Sequence, residues 1–189
     1  PFSGNWVYTE PTKGVEHWSD LDKYVDFCTR PHMTMEYHYL TGIPPMFIRS
    51  HADPPVQQQL LKHLLDTVAR YHDRVTYWQV ENERMLLPYT PPIFKALRAK
   101  YPHIQLGISD CIQFWDDASR PSDHGDRGNP WEGWDALQWL EQQGIKPNYF
   151  AIHGHRPSGV WSDPREIYSM IDRFQHTGVR VHISEMYLP

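Results

Sequence analysis

Two rhythms of apolar and polar positions alternate along this chain. Short runs rich in β-branched and aromatic residues are each followed by a longer stretch with apolar side chains at helical spacing, the pattern of βα units around a parallel sheet. Six strands are predicted: a stub at Phe2–Trp6, then Met33–Leu40, Val75–Glu83, Ile104–Cys111, Tyr149–His155 and Arg180–Tyr187. Each ends in polar or ionisable residues, so the strand ends form one chemical face. Helices are predicted over Ser19–Cys28, Asp53–Tyr71, Pro92–Lys100, Gly133–Gln142 and Pro164–His176. The second carries Val56, Leu60, Leu61, Leu64 and Val68 on one stripe, with Asp53-Pro54 as cap and first turn. The last turns Ile167, Met170, Ile171 and Phe174 inward, starts at Asp163-Pro164 and stops before Gly178. Cys111 to Trp131 is too long and too rich in Asp, Ser, Gly and Pro for a plain connection, and reads as a functional or partly mobile loop.

Length and composition narrow the class. The chain has 189 residues, enough for one buried core, and it shows neither an internal repeat nor a low-complexity tract, so one domain over residues 1–189 is expected. Six strands and five helices fall short of the eight units of a closed (β/α)₈ barrel. The expected fold class is therefore α/β, an incomplete (β/α)₈ TIM barrel in which at least one unit is not evident. The net charge of −5 is spread without like-charge runs, which argues against a nucleic-acid surface. Apolar stretches are short, Tyr149-Phe150-Ala151-Ile152 being among the longest, so no membrane span is predicted. Cys28 and Cys111 have neither zinc-site nor disulfide spacing and leave the compartment open. The chain begins at Pro1 and ends at Pro189 directly after a strand-like run, and both ends look cut.

The candidate chemistry sits at strand ends, where a parallel barrel assembles its site. Asn82-Glu83 closes the strand that starts at Val75, and Glu185 closes the strand that starts at Arg180. Two carboxyl groups so placed are the equipment of glycoside hydrolysis, in which one protonates the leaving oxygen while the other attacks the anomeric carbon. By spacing alone the reading as rim glutamates paired with Arg84, Arg156 or Arg180 is favoured. His153 and His155, two apart on one strand, point to the same face, and with Asp110, Glu185 or His38 they form a possible ligand set for a metal-dependent barrel hydrolase. Eight tryptophans exceed what a core of this size needs, and sugar sites use such rings as stacking platforms.

Longer motifs separate these readings. Trp6-Val7-Tyr8-Thr9-Glu10-Pro11-Thr12-Lys13-Gly14, followed by Trp18 and Asp22, resembles the segment after the second strand in family 10 glycoside hydrolases. Arg70-Tyr71, Trp78 and Asn82-Glu83 are similar to that family's helix end, fourth strand and Asn-Glu pair. Ile108-Ser109-Asp110, Phe150 through His155, and Ile183-Ser184-Glu185 resemble its fifth, sixth and seventh strands, in the same order. The resemblance implies a barrel covering roughly strands two to seven, with the first and eighth units not evident. It implies Glu83 as acid/base and Glu185 as nucleophile in a retaining mechanism that needs no cofactor and no metal. It further implies Asn82, His38, His155, His153 and Trp6 as substrate-binding residues, with His155 holding Glu185 ionised. The implied substrate is a β-1,4-linked xylan-type poly- or oligosaccharide, with Trp115, Trp131 or Trp161 as platforms. Export from the cell and completion of the barrel by further chain segments or a partner are implied as well.

The sequence also departs from the family pattern. Asn5 and Val7 stand where the family has lysine and glutamate around its first tryptophan, Gly42 and Ile43 fall near its Trp-His pair, Ser109 replaces an asparagine and His153 a glutamine. These departures bear on sugar recognition, and they motivate an alternative in which the chain is a non-catalytic carbohydrate-binding or structural relative.

Overall fold

The computed structural model describes residues 4–48, 54–82, 89–113, 134–153 and 164–184. Its elements, in chain order, are α1 Trp6–Thr9, α2 Ser19–Cys28, β1 Glu36–Tyr37, α3 Pro54–Tyr71, β2 Tyr77–Glu81, α4 Thr90–Lys100, β3 Gln105–Gln113, α5 Trp134–Gln142, β4 Tyr149–His153, α6 Pro164–Gln175 and β5 Arg180–Ser184. The strands run in the order β1-β2-β3-β4-β5, with every recorded pairing parallel. Sequential parallel strands joined by helices are the incomplete (β/α)₈ barrel that the sequence pattern predicts. None of the described helices is long and apolar enough to cross a membrane. By its contacts the chain divides into two compact units, residues 1–81 with 92–106 and residues 82–91 with 107–189.

In the first unit α3 supplies most of the packing. Its buried residues Leu60, His63, Leu64, Thr67, Val68 and Tyr71 recur at helical spacing; of the predicted stripe Leu60, Leu64 and Val68 are buried and Val56 and Leu61 half-buried, and a histidine lies within it. The strand β2 is buried on both faces: Trp78, Gln79 and Val80 are 0% exposed and Glu81 is 2% exposed. Burial on both faces is what a parallel strand between helix layers experiences. Trp78 stacks on Tyr37 of β1, with ring centroids 5.0 Å apart, and donates its Nε1–H to Val75 O. Asp22 of α2 receives a bidentate pair from Arg70 of α3 at 2.9 and 2.7 Å, and Tyr71 donates to the same carboxylate at 2.8 Å. The Arg70 hydrogen bond holds the Asp22 carboxyl below its usual range. The Arg70-Tyr71 and Asp22 motifs are thus a clamp between two helices.

In the second unit β4 is the centre. Tyr149, Phe150, Ala151 and Ile152 are all fully buried, Phe150 stacking on Phe174 of α6 and Tyr149 on His182 of β5. Gly178 follows α6 with φ of +64°, a left-handed conformation that glycine adopts without the cost a Cβ would bring. The outer strand β5 is more open, with Ile183 44% exposed.

Two expectations change. The predicted stub Phe2–Trp6 is not a strand where it is described, because Trp6 opens the one-turn helix α1. The predicted strand Met33–Leu40 contracts to Glu36–Tyr37, although Leu40 and Thr41 rejoin the ladder by donating to Gln79 O and Val80 O, past a cis peptide between His38 and Tyr39. The remaining strand and helix predictions agree with the described residues to within a few positions, and the 111–131 loop lies outside them from residue 114 onward.

Candidate active site at the strand ends

The catalytic candidates follow directly from two described strands. Asn82 is the first residue past β2 and is 8% exposed, and Glu83 comes next in the sequence. Glu185 comes immediately after Ser184, the last residue of β5. Glu83, Glu185, His155 and the tryptophans Trp115, Trp131 and Trp161 lie outside the described residues.

The second unit brings the ends of β3, β4 and β5 to one level. His153 is in register with Gln113 on one side and with Ser184 on the other. Neighbouring strands lie about 4.8 Å apart, so the backbone that presents Glu185 begins one strand spacing from His153. Ser109, the departure from the family's asparagine, is 3% exposed and in register with Ala151. Among the described residues no group of three or more His, Cys, Asp or Glu side chains is arranged to hold a metal ion.

The first unit carries the two remaining candidates. His38 is exposed, and its Nδ1 lies 3.2 Å from Gln79 Oε1. The Gln79 amide donates its Nε2–H to Glu81 O at 3.2 Å, which sets its oxygen toward the ring. With that orientation His38 donates from Nδ1 to Gln79 Oε1. Thr41 Oγ1 stands 2.6 Å from Glu81 Oε2 and 2.9 Å from Val80 O, sharing its single proton between them. Sequence reading passed over Gln79, Thr41 and Glu81, although a glutamine and a glutamate inside an otherwise buried strand were the available signal.

Trp6 is 1% exposed, and its ring stacks on His63 at 5.0 Å. Its Nε1–H goes to Glu10 Oε2 at 2.7 Å, while Glu10 Oε1 accepts Gly14 N–H at 2.8 Å, closing the Glu-Pro-x-x-Gly turn. Trp18 also lies parallel to His63, with centroids 5.9 Å apart. Burial pushes the His63 imidazole down to about 4 from 6.5. The folded state therefore binds this proton less readily than the unfolded chain, so stability is highest above pH 6.5 and falls as pH drops toward 4. The loss across that window is expected to be about 3 kcal/mol. His63→Phe, which keeps a stacking ring without the titration, should flatten that part of the stability profile. Urea melts of both proteins between pH 7 and pH 4 would check this, and equal slopes would sink it.

With the geometry in view, comparisons place the chain. The model of glycosyl hydrolase family 10 matches residues 3–110, more than half of its length. Endo-1,4-beta-xylanase C of Paenibacillus barcinonensis is 31% identical over 84 residues, which is 39% of this chain and 8% of that protein. Among solved structures, native xylanase 10B from Thermotoga maritima aligns with a TM-score of 0.77 at 18% identity, covering 97% of this chain and 59% of that one. The family 10 structure from Paenibacillus barcinonensis aligns with a TM-score of 0.71 at 20% identity, covering 98% and 60%. The chain thus spans about three fifths of these solved xylanases, as an incomplete barrel must. By the matched segment, the order of its motifs and its strand topology, the chain belongs to glycosyl hydrolase family 10.

Proposed function

We propose that the protein of which this chain forms the barrel segment is a retaining glycoside hydrolase acting on β-1,4-linked xylan-type polysaccharide. Glu185 attacks the anomeric carbon while Glu83 protonates the leaving oxygen; Glu83 then activates the water that releases the sugar. The observation that supports this reading is that β2 ends at Glu81 and β5 at Ser184, so that Asn82-Glu83 and Glu185 follow next in the sequence. Strand C-terminal ends are where barrel enzymes assemble their chemistry. The similarity to endo-1,4-beta-xylanase C and xylanase 10B supports the substrate class.

Asn82, His38, His153 and His155 are proposed to bind the sugar, His155 also by steadying Glu185. Trp6 is proposed to act through the turn it anchors, because its ring faces are taken up by packing. Further chain segments or a partner are proposed to complete the barrel, and the proposed mechanism uses no cofactor.

The test is the stereochemistry of hydrolysis. Proton NMR of the full-length protein acting on an aryl β-xylobioside should show the β-anomer of the product first, mutarotating afterwards. Initial release of the α-anomer would overturn the double displacement. Failure to cleave any β-glycoside by a folded protein would overturn the enzymatic reading in favour of a binding relative.

A further inference from the structure

Two turns of the first unit each carry a histidine, and both turns are tightly held. His72 follows α3, with its N–H on Val68 O at 2.9 Å, and the chain then reverses through Arg74 N and Val75 N, both bonded to Tyr71 O. His103 follows α4 in a turn closed by Tyr101 N to Leu97 O at 2.7 Å and Ile104 N to Tyr101 O at 3.3 Å. Gln105 N donates to Thr76 O at 2.8 Å, tying together the starts of the two strands that follow. The Tyr101 side chain, 6% exposed, lies against the His72 ring at 4.7 Å. The two imidazoles are therefore presented by fixed backbone at the N-terminal ends of β2 and β3.

His72 Nδ1 and His103 Nε2 are 3.2 Å apart, with ring centroids at 5.2 Å and planes at 62°. A zinc ion bonded to two imidazole nitrogens at tetrahedral angles needs them about 3.3 Å apart, with ring centroids about 5 Å apart. A square-planar ion would want the nitrogens closer, at about 2.9 Å. The nitrogen and ring spacings thus match those of two zinc-bound imidazoles. His72 is half-buried and His103 exposed, so water can reach the pair and fill the other coordination positions.

We propose that His72 and His103 form a two-histidine site for a divalent zinc-like cation, joining the α3–β2 and α4–β3 turns. In the metal-free pair the His103 Nε2–H lies between His72 Nδ1 and His72 O, each at 3.2 Å. When the ion takes that place, the proton moves to Nδ1 of the His103 ring. Binding thus involves no change of oxidation state and no net proton release. With two protein ligands the site is of modest affinity, and it stabilises the fold by mass action when zinc is present.

The experiment is calorimetric titration of the chelator-stripped full chain with zinc chloride near neutral pH, beside His103→Gln and the double variant His72→Gln/His103→Gln. One zinc per chain is expected, weakened at least about tenfold in the single variant as the chelate is lost. Thermal stability should rise with zinc in the wild type only. No binding to the wild type at about 1 mM zinc, or equal binding by the double variant, would overturn the proposal. Imidazole NMR signals of the wild type give a reading independent of the variants. His72 and His103 should shift first, and a response confined to other histidines would also overturn it.

Discussion

Glu185→Ala in the full-length protein is expected to lower kcat on xylan-type substrates by at least about 10⁴-fold, roughly 5.5 kcal/mol of transition-state stabilisation. The nucleophile forms a bond in the transition state, so the loss falls on kcat and kcat/KM together rather than on binding. Glu83→Ala is expected to behave differently. Cleavage of a substrate whose leaving group departs without protonation should lose little in the first step, whereas unactivated xylan should lose far more. Release of the glycosyl-enzyme slows in the same variant, because Glu83 also serves as the base for water. The intermediate should then accumulate, giving a burst and a lowered KM on an activated aryl xylobioside. Steady-state and burst kinetics with the two substrate types separate these patterns. Wild-type kcat in both variants would end the two-glutamate assignment, while leaving the family membership untouched.

Gly107→Ala is expected to destabilise the chain by about 3 kcal/mol or more, at the upper end of overpacking costs. A Cβ at this position would stand 2.2, 2.3 and 2.4 Å from three ring carbons of Tyr149. That ring has no room to retreat. Tyr149 is fully buried, and its other face stacks on His182 at 4.2 Å. Gly107 and Tyr149 are also register partners between β3 and β4, so relief requires shifting the strands themselves. Urea unfolding of Gly107→Ala measures the effect, and a change within about 0.5 kcal/mol would refute the packing account. Repeating the substitution in a Tyr149→Ala background should recover much of the loss, since removing the ring removes the clash.

The sequence was most informative where many positions repeat one preference. The stripe on α3 from Leu60 to Val68, the stop at Gly178 and the apolar run Tyr149–Ile152 each sum several weak signals, and the structure has all three. Trp6–Thr9 shows the opposite case. Its residues, Trp-Val-Tyr-Thr, favour strands by local propensity, yet they form a helical turn because Trp6 packs on His63 and bonds to Glu10. A segment of four residues has too few positions to outweigh two such contacts.

The polar residues divide in the same way. Asn82, Glu83 and Glu185 stand out in the sequence because they end runs that otherwise suit burial. Twelve histidines, by contrast, look alike in a sequence. Their surroundings make His63 a buried partner of two tryptophans, His38 a hydrogen-bond partner of Gln79, and His72 and His103 a facing pair. By itself, then, the sequence determined the alternation of strands and helices, the family and the candidate carboxylates, because these rest on local pattern and motif order. Only the tertiary structure decided which glycine has no room for a side chain and which buried polar groups meet. Those outcomes depend on ångström-scale contacts between residues as far apart as Gly107 and Tyr149, or Thr41 and Glu81.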